Sequence, residues 1–238
     1  MSGHSHFKTV KATKDANDAK KGKIFSKIGR VITIAVKEGG KDPIMNAKLK
    51  TLIDKAKEFN MPKENIERAI KKGAGELGGE TLENISIEGF GPSGITLIVE
   101  GITDNKNRAL TEIKTILNKY QGKMAGEGAV KWMFDRKGVI TIELQNNKEE
   151  LELLAIESGA EDVIQEGNLL YIHTNPEDLE KVKKTLEDKN VKIESSILGW
   201  IAKEEVDLDE KEKESCQKLF EALDENDDVQ EIYSNIKG

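Results

Sequence analysis

The sequence predicts an α+β chain: an N-terminal three-helix bundle followed by two α+β domains, one of them ferredoxin-like (βαββαβ) and inserted in the other. Three observations predict it. Apolar residues recur at the helical period through residues 24–70. From residue 135 onward, alternating and helical patterns take turns in the order of a split βαβ unit. The elements on either side of that unit do not close a domain separately, so the last ones are expected to return to the first. The expected divisions are 1–75 for the helical head, 76–135 with 204–238 for a discontinuous α+β domain, and 136–203 for the inserted ferredoxin-like domain.

The elements follow in order. Ile24, Phe25, Ile28, Val31, Ile32, Ala35 and Val36 fall on one side of a helix over 24–36. If that helix starts upstream near Thr13, then Lys20, Lys23, Lys27, Arg30 and Lys37 form a separate stripe beside the apolar face. Gly22 weakens this continuity, because glycine costs about 1 kcal/mol relative to alanine inside a helix. Gly39-Gly40 ends the element. A second helix after Asp42-Pro43 buries Leu49, Leu52, Ile53, Ala56 and Phe59. Pro62 opens a third, with Ile66, Ala69 and Ile70 inward, Gly73 as its C-cap and 73–79 as exit linker. Strands are expected at 85–87 and 95–99, a helix at 107–120 and a third strand at 129–134. The ferredoxin-like unit then reads as strand 138–144, helix 148–158, strands 162–165 and 169–173 joined by a tight turn at Glu166-Gly167-Asn168, helix 176–188 and strand 191–201. A helix at 209–223 and a short strand at 229–233 complete the chain.

Charge is distributed unevenly. The net charge of −7 divides into +10 for residues 1–75, from 18 Lys+Arg against 8 Asp+Glu, and −17 for the remainder, from 19 against 36. A basic head on an acidic body suggests a polyanion partner for the head. The competing reading is a solvated Lys-rich helical surface. Lys8, Lys11, Lys14, Lys20, Lys21, Lys23, Lys27 and Arg30 are the candidate phosphate-contacting residues. His6 and Phe7 are candidates for stacking on an unpaired base, although Phe7 could equally anchor the tail on the bundle. Only four of the 37 basic residues are Arg, and bidentate Arg is the commonest reader of guanine. A Lys-dominated face therefore points to backbone contact more than to base readout.

Other chemistries are not indicated. No apolar run approaches 18 residues, so no membrane span is expected. The N-terminus has no apolar signal core, which points to a soluble, cytoplasmic chain. One cysteine, Cys216, excludes a disulfide framework and a multi-thiolate metal site. There is no phosphate loop ending in Lys-Ser or Lys-Thr, and the glycines of 73–79 follow a helix where a dinucleotide fingerprint follows a strand. His173 reads as structural, Glu166 and the other carboxylates as solvated faces, and Cys216 lacks a neighbouring His. With Met1 removed, Ser2-Gly3-His4 could wrap Cu(II) or Ni(II) in a square plane, a pattern that short sequences reach by chance. No catalytic residue, metal site or cofactor is expected.

Several long motifs carry a family resemblance: Gly3-His4-Ser5, Asp18-Ala-Lys-Lys-Gly-Lys-Ile-Phe25, the run from Asn60 to Gly73, Glu88-Gly-Phe-Gly-Pro92, Thr103-Asp-Asn-Lys-Asn-Arg108 and Val130-Lys-Trp-Met-Phe-Asp-Arg-Lys-Gly138. In order and over essentially the whole chain, they resemble the YebC/PmpR family. The resemblance implies a three-helix N-terminal domain plus two α+β domains, one inserted in the other, and no catalysis. It implies a cytoplasmic DNA-binding regulator of transcription, while other members of the family, including the mitochondrial translational activator of cytochrome c oxidase subunit I, act in translation. The sequence departs from the family pattern in two places. His6-Phe7 stands where Lys-Trp is usual, and the loop Gly122–Ala129 carries Glu127, which adds negative charge.

Three functions are therefore expected to compete: a DNA-binding transcriptional regulator, a translation factor touching ribosomal RNA or the ribosome, and a protein-interaction module without nucleic acid. The acidic body is a candidate surface for a protein partner in the first.

Overall fold

The computed structural model describes residues 18–78, 81–144 and 148–237, with the side chains of 18–20 left aside. Three helices lead: α1 (Asp18–Gly39), α2 (Ala47–Glu58) and α3 (Lys63–Gly73). Ile28, Ile32 and Val36 of α1 meet Leu49 and Ala56 of α2 and Ile66 and Ala69 of α3, with Met61 closing the cluster. Asn46 joins the first two helices. Its Oδ1 accepts from the Leu49 N–H at 3.0 Å, while its Nδ2 donates to the carbonyls of Ala35 (2.9 Å) and Gly40 (2.8 Å). One buried amide thus caps α2 and ties off the end of α1.

Gly73 differs from its expected role. The left-handed residue after α3 is Gly75, at φ +74°, and the Glu76 N–H closes back on the Lys71 carbonyl at 3.0 Å. Gly73 lies inside the helix, where a Cβ would come within 2.5 Å of the Thr33 carbonyl oxygen. Its lack of a side chain permits the close crossing of α1 and α3.

The first sheet contains β1 (Glu83–Phe90), β2 (Thr96–Thr103), β3 (Lys123–Met124) and β8 (Val229–Ser234) in the order β3-β1-β2-β8. The helices α4 (Lys106–Lys119) and α7 (Glu210–Asp224) cover one face of it, through Ile113, Leu117, Leu219 and Leu223 against Ile85, Ile87, Leu97 and Val99. The second sheet contains β4 (Phe134–Glu143), β5 (Asp162–Glu166), β6 (Leu169–Thr174) and β7 (Ile193–Ala202) in the order β5-β6-β4-β7, all antiparallel. Its helices α5 (Lys148–Ser158) and α6 (Leu179–Asp188) fill one core with Ile140, Ile142, Leu170 and Ile172. This is the ferredoxin-like arrangement, and the molecule is α+β as expected. The two sheets meet through Ile98, Val130, Phe134 and Tyr233, with Trp200 packed alongside.

The strand expected at 129–134 is absent. A 3-10 turn, Lys131–Met133, occupies the segment, and β4 begins only at Phe134. The cause is Glu88. Its carboxylate accepts from the backbone N–H groups of Gly128 (2.7 Å), Val130 (2.6 Å) and Lys131 (2.7 Å), which are then lost to any strand ladder. The edge position goes instead to Lys123–Met124, which pair with Phe90 and Gly89 inside the stretch read as a loop.

Candidate nucleic-acid interface

The helical head sits against one end of the first sheet. Ile34 of α1, opposite the bundle-facing residues, is buried with Leu82 and Ile102. Helix α1 is therefore buried on two sides, and the cationic stripe borders the second of them. Lys27, 6% exposed, donates to the Asp224 carboxylate at 2.7 Å and to the Asp224 carbonyl at 2.8 Å. Lys23 pairs with Glu225. Arg30 donates to Asp228 and, at 2.7 Å, to the Ile102 carbonyl. Three of the eight cations nominated from the sequence are thus turned onto the acidic corner between α7 and β8. The reason is electrostatic: a cation taken out of water costs several kcal/mol unless a carboxylate meets it there.

Asp228 is the centre of that corner. It also accepts from Arg108 at 2.9 Å and from the Thr103 hydroxyl at 3.0 Å. Its hydrogen bonds hold the Arg108 guanidinium well above its ordinary pKa, with Asp104 adding to the effect. The motif Thr103–Arg108 is therefore a joint between β2, α4 and β8. Nothing local in the sequence marks Asp228, because its partners lie far away along the chain.

His6, Phe7, Lys8, Lys11 and Lys14 lie outside the described residues, and Lys20 lies in α1 with its side chain outside them. Lys21 is exposed. Among the described residues of the head, Lys50 on α2 and Arg68 and Lys72 on α3 are also exposed, with no carboxylate within ion-pair distance. By contrast Lys41, Lys48, Lys57 and Lys63 pair with Glu76, Glu38, Asp54 and Glu67. These exposed cations are mostly lysines and are spread over three helices.

Three comparisons with known proteins bear on this surface. Residues 5–76 match the TACO1/YebC protein N-terminal domain, and residues 82–236 match the TACO1/YebC second and third domain. The chain belongs to the TACO1/YebC family. Relatives named "Probable transcriptional regulatory protein" include one from Halothermothrix orenii, 45% identical over 99% of this chain and 95% of its own. Another, from Trichlorobacter lovleyi, is 46% identical over 99% of this chain and 96% of its own. A crystal structure of a conserved hypothetical protein from Aquifex aeolicus, Aq1575, superposes with a TM-score of 0.84 at 43% identity, covering 92% of this chain and 91% of that one. The TACO1/YebC motifs now divide by role: Thr103–Arg108 forms the joint, and Glu88 with the loop before β4 forms a second organised feature.

That loop also carries Trp132, which is 65% exposed, with its indole N–H donating to the Ala129 carbonyl at 3.0 Å. The remaining polar candidates are structural in setting. His173 is buried on β6, and burial lowers its pKa. Burial, with Glu212 nearby, pushes the Cys216 thiol up to about 11. Among the described residues no group of three or more His, Cys, Asp or Glu could hold a metal ion, and no helix is long and apolar enough to cross a membrane. Ser2-Gly3-His4 lies outside them.

Proposed function

We propose that the chain is a non-enzymatic, nucleic-acid-binding regulator of gene expression in the cytoplasm, a DNA-binding transcriptional regulator whose basic head contacts the phosphate backbone. The observation that carries this reading is the charge of the head: even after Lys23, Lys27 and Arg30 are matched by Asp224, Glu225 and Asp228, Lys21, Lys50, Arg68 and Lys72 stay exposed to solvent, and Lys8, Lys11, Lys14 and Lys20 add to them in sequence. Lysines on flexible stems suit phosphate and read no sequence. The names of the relatives support transcription as the process. A second reading, contact with ribosomal RNA, is favoured by the same scarcity of arginine, since sequence-tolerant contact suits structured RNA as well as an operator.

Replacing Lys8, Lys11, Lys14, Lys20 and Lys21 with Gln tests the head. Each lost phosphate contact flattens the dependence of log affinity on log salt by about 0.9 on duplex DNA and about 0.7 on single strands. An unchanged slope overturns the contact surface. Co-sedimentation with ribosomes in the presence of excess duplex separates the two readings: retention makes the chain a translation factor, and loss to the duplex makes it a DNA-binding regulator.

A further inference from the structure

Trp132 is an unusual residue to leave in solvent. An indole is a large apolar surface, and its exposure is tolerated most readily where it serves binding. Here the exposure is built in. The loop before it is fixed by three backbone N–H groups converging on buried Glu88, and the indole N–H is committed to the Ala129 carbonyl. With its one polar atom satisfied internally, the ring offers a partner only its π face and edges. A protein partner that anchors on tryptophan ordinarily also takes up the indole N–H, and that route is closed here.

The surroundings indicate which flat partner fits. Phe90, 37% exposed, lies two residues beyond Glu88 on β1, so both project from the same face of the first sheet. Lys123 is the direct cross-strand partner of Phe90 and shares that face. Lys123 is exposed and without an ion-pair partner among the described residues. An exposed indole on a loop anchored to this sheet face, with an exposed phenyl ring and an exposed lysine on the face itself, is the composition of a single-strand platform, in which bases stack on rings and phosphates meet lysines. Other lysines are placed differently: Lys131 lies over the Trp200 ring at 5.0 Å, within the joint between the sheets.

We propose that the exposed face of Trp132, with Phe90 and Lys123 on the sheet face that its loop overlies, is a stacking site for an unpaired nucleobase. The inference rests on the nucleic-acid reading above and deepens it: the head supplies phosphate contact, and this loop selects single strands over duplex without reading sequence. Glu127, the one acidic residue in the loop, tempers the affinity.

The test uses the full chain with a short oligo(dT) strand and, in parallel, a mixed-sequence duplex. Trp132→Leu weakens oligo(dT) binding by about 5- to 150-fold, the range for loss of one stacked base, and leaves duplex affinity unchanged. Trp132→Phe restores most of the loss, and Glu127→Gln tightens oligo(dT) binding by up to about fivefold. Of the two tryptophans, Trp132 is the exposed one, so its fluorescence is quenched on oligo(dT) binding in the unaltered chain and the signal is lost in Trp132→Phe. Because the side chain is exposed, these replacements leave the core intact. Unchanged oligo(dT) affinity in Trp132→Leu overturns the stacking site and leaves the loop as a protein-docking surface, while the salt dependence of duplex binding still stands for the head. Equal losses for duplex and single strand also overturn it, since a base-stacking site discriminates between them.

Discussion

Glu88 holds the loop before β4 as an anion. Burial pushes its carboxyl pKa up, but the N–H groups of Gly128, Val130 and Lys131, with the charge of Lys131, outweigh burial and hold it below the ordinary 4.5. The folded state therefore favours the ionised form. The stability this contributes is present above pH 4.5 and is lost as the pH falls through the lower folded value. Glu88→Gln is expected to cost about 1–3 kcal/mol in urea unfolding at neutral pH, as at least one N–H group loses its acceptor and the others lose an ionised one. The difference from the unaltered chain should narrow as the pH falls below 4.5 and through the lower folded value, where the Glu88 carboxyl takes up its proton; a difference that stays constant would assign the effect to shape and not to charge. The sequence placed Glu88 in the motif Glu88–Pro92, just past the strand expected at 85–87, but no local pattern showed that its carboxylate would turn inward to meet the loop before β4.

At the scale of elements, glycine separates two effects that sequence alone merges. Gly22 lies in α1 with nothing within 4 Å of a would-be Cβ, so Gly22→Ala should stabilise by about 0.5–1 kcal/mol through helix propensity and backbone entropy. Gly73→Ala places its methyl 2.5 Å from the Thr33 carbonyl and 2.7 Å from the Val36 Cβ. Since one of these is backbone, α3 must move off α1, and a net loss of about 1–3 kcal/mol is expected despite alanine's propensity. Thermal melts of the two variants should shift in opposite directions, and a rise in Tm for both would refute the close crossing. The three helices, their order and most of their inward residues were legible from periodicity. The reason for Gly73 was not, because its cause is a neighbouring helix and not its own turn.

For the whole molecule, the corner at Asp224, Glu225 and Asp228 decides how the basic head is used. Asp228→Asn leaves Arg30 and Arg108 against a neutral amide in a site that is only 3% exposed at the aspartate side chain. Removing one member of such a cluster is expected to cost about 3–5 kcal/mol, read by urea unfolding, and to speed limited proteolysis next to Leu82, which is buried against Ile34 and Ile102, as the head loosens. A cost under about 1 kcal/mol with an unchanged digestion pattern would show that apolar packing of Ile34 on Leu82 and Ile102 suffices. Raising the salt should weaken the exposed Lys23–Glu225 pair and leave the buried Lys27–Asp224 contact largely in place.

The α+β class, the helical head, the βαββαβ order and the asymmetry of charge all follow from the sequence by itself, because hydrophobic period and composition are local properties that each segment carries. Tertiary structure alone decided which charges remain available. Lys27 and Asp224 are 197 residues apart, and no local pattern connects them. Likewise Val130-Lys-Trp-Met-Phe134 reads as a strand until a carboxylate on β1 captures its N–H groups, since a backbone donor serves whichever acceptor the fold brings to it.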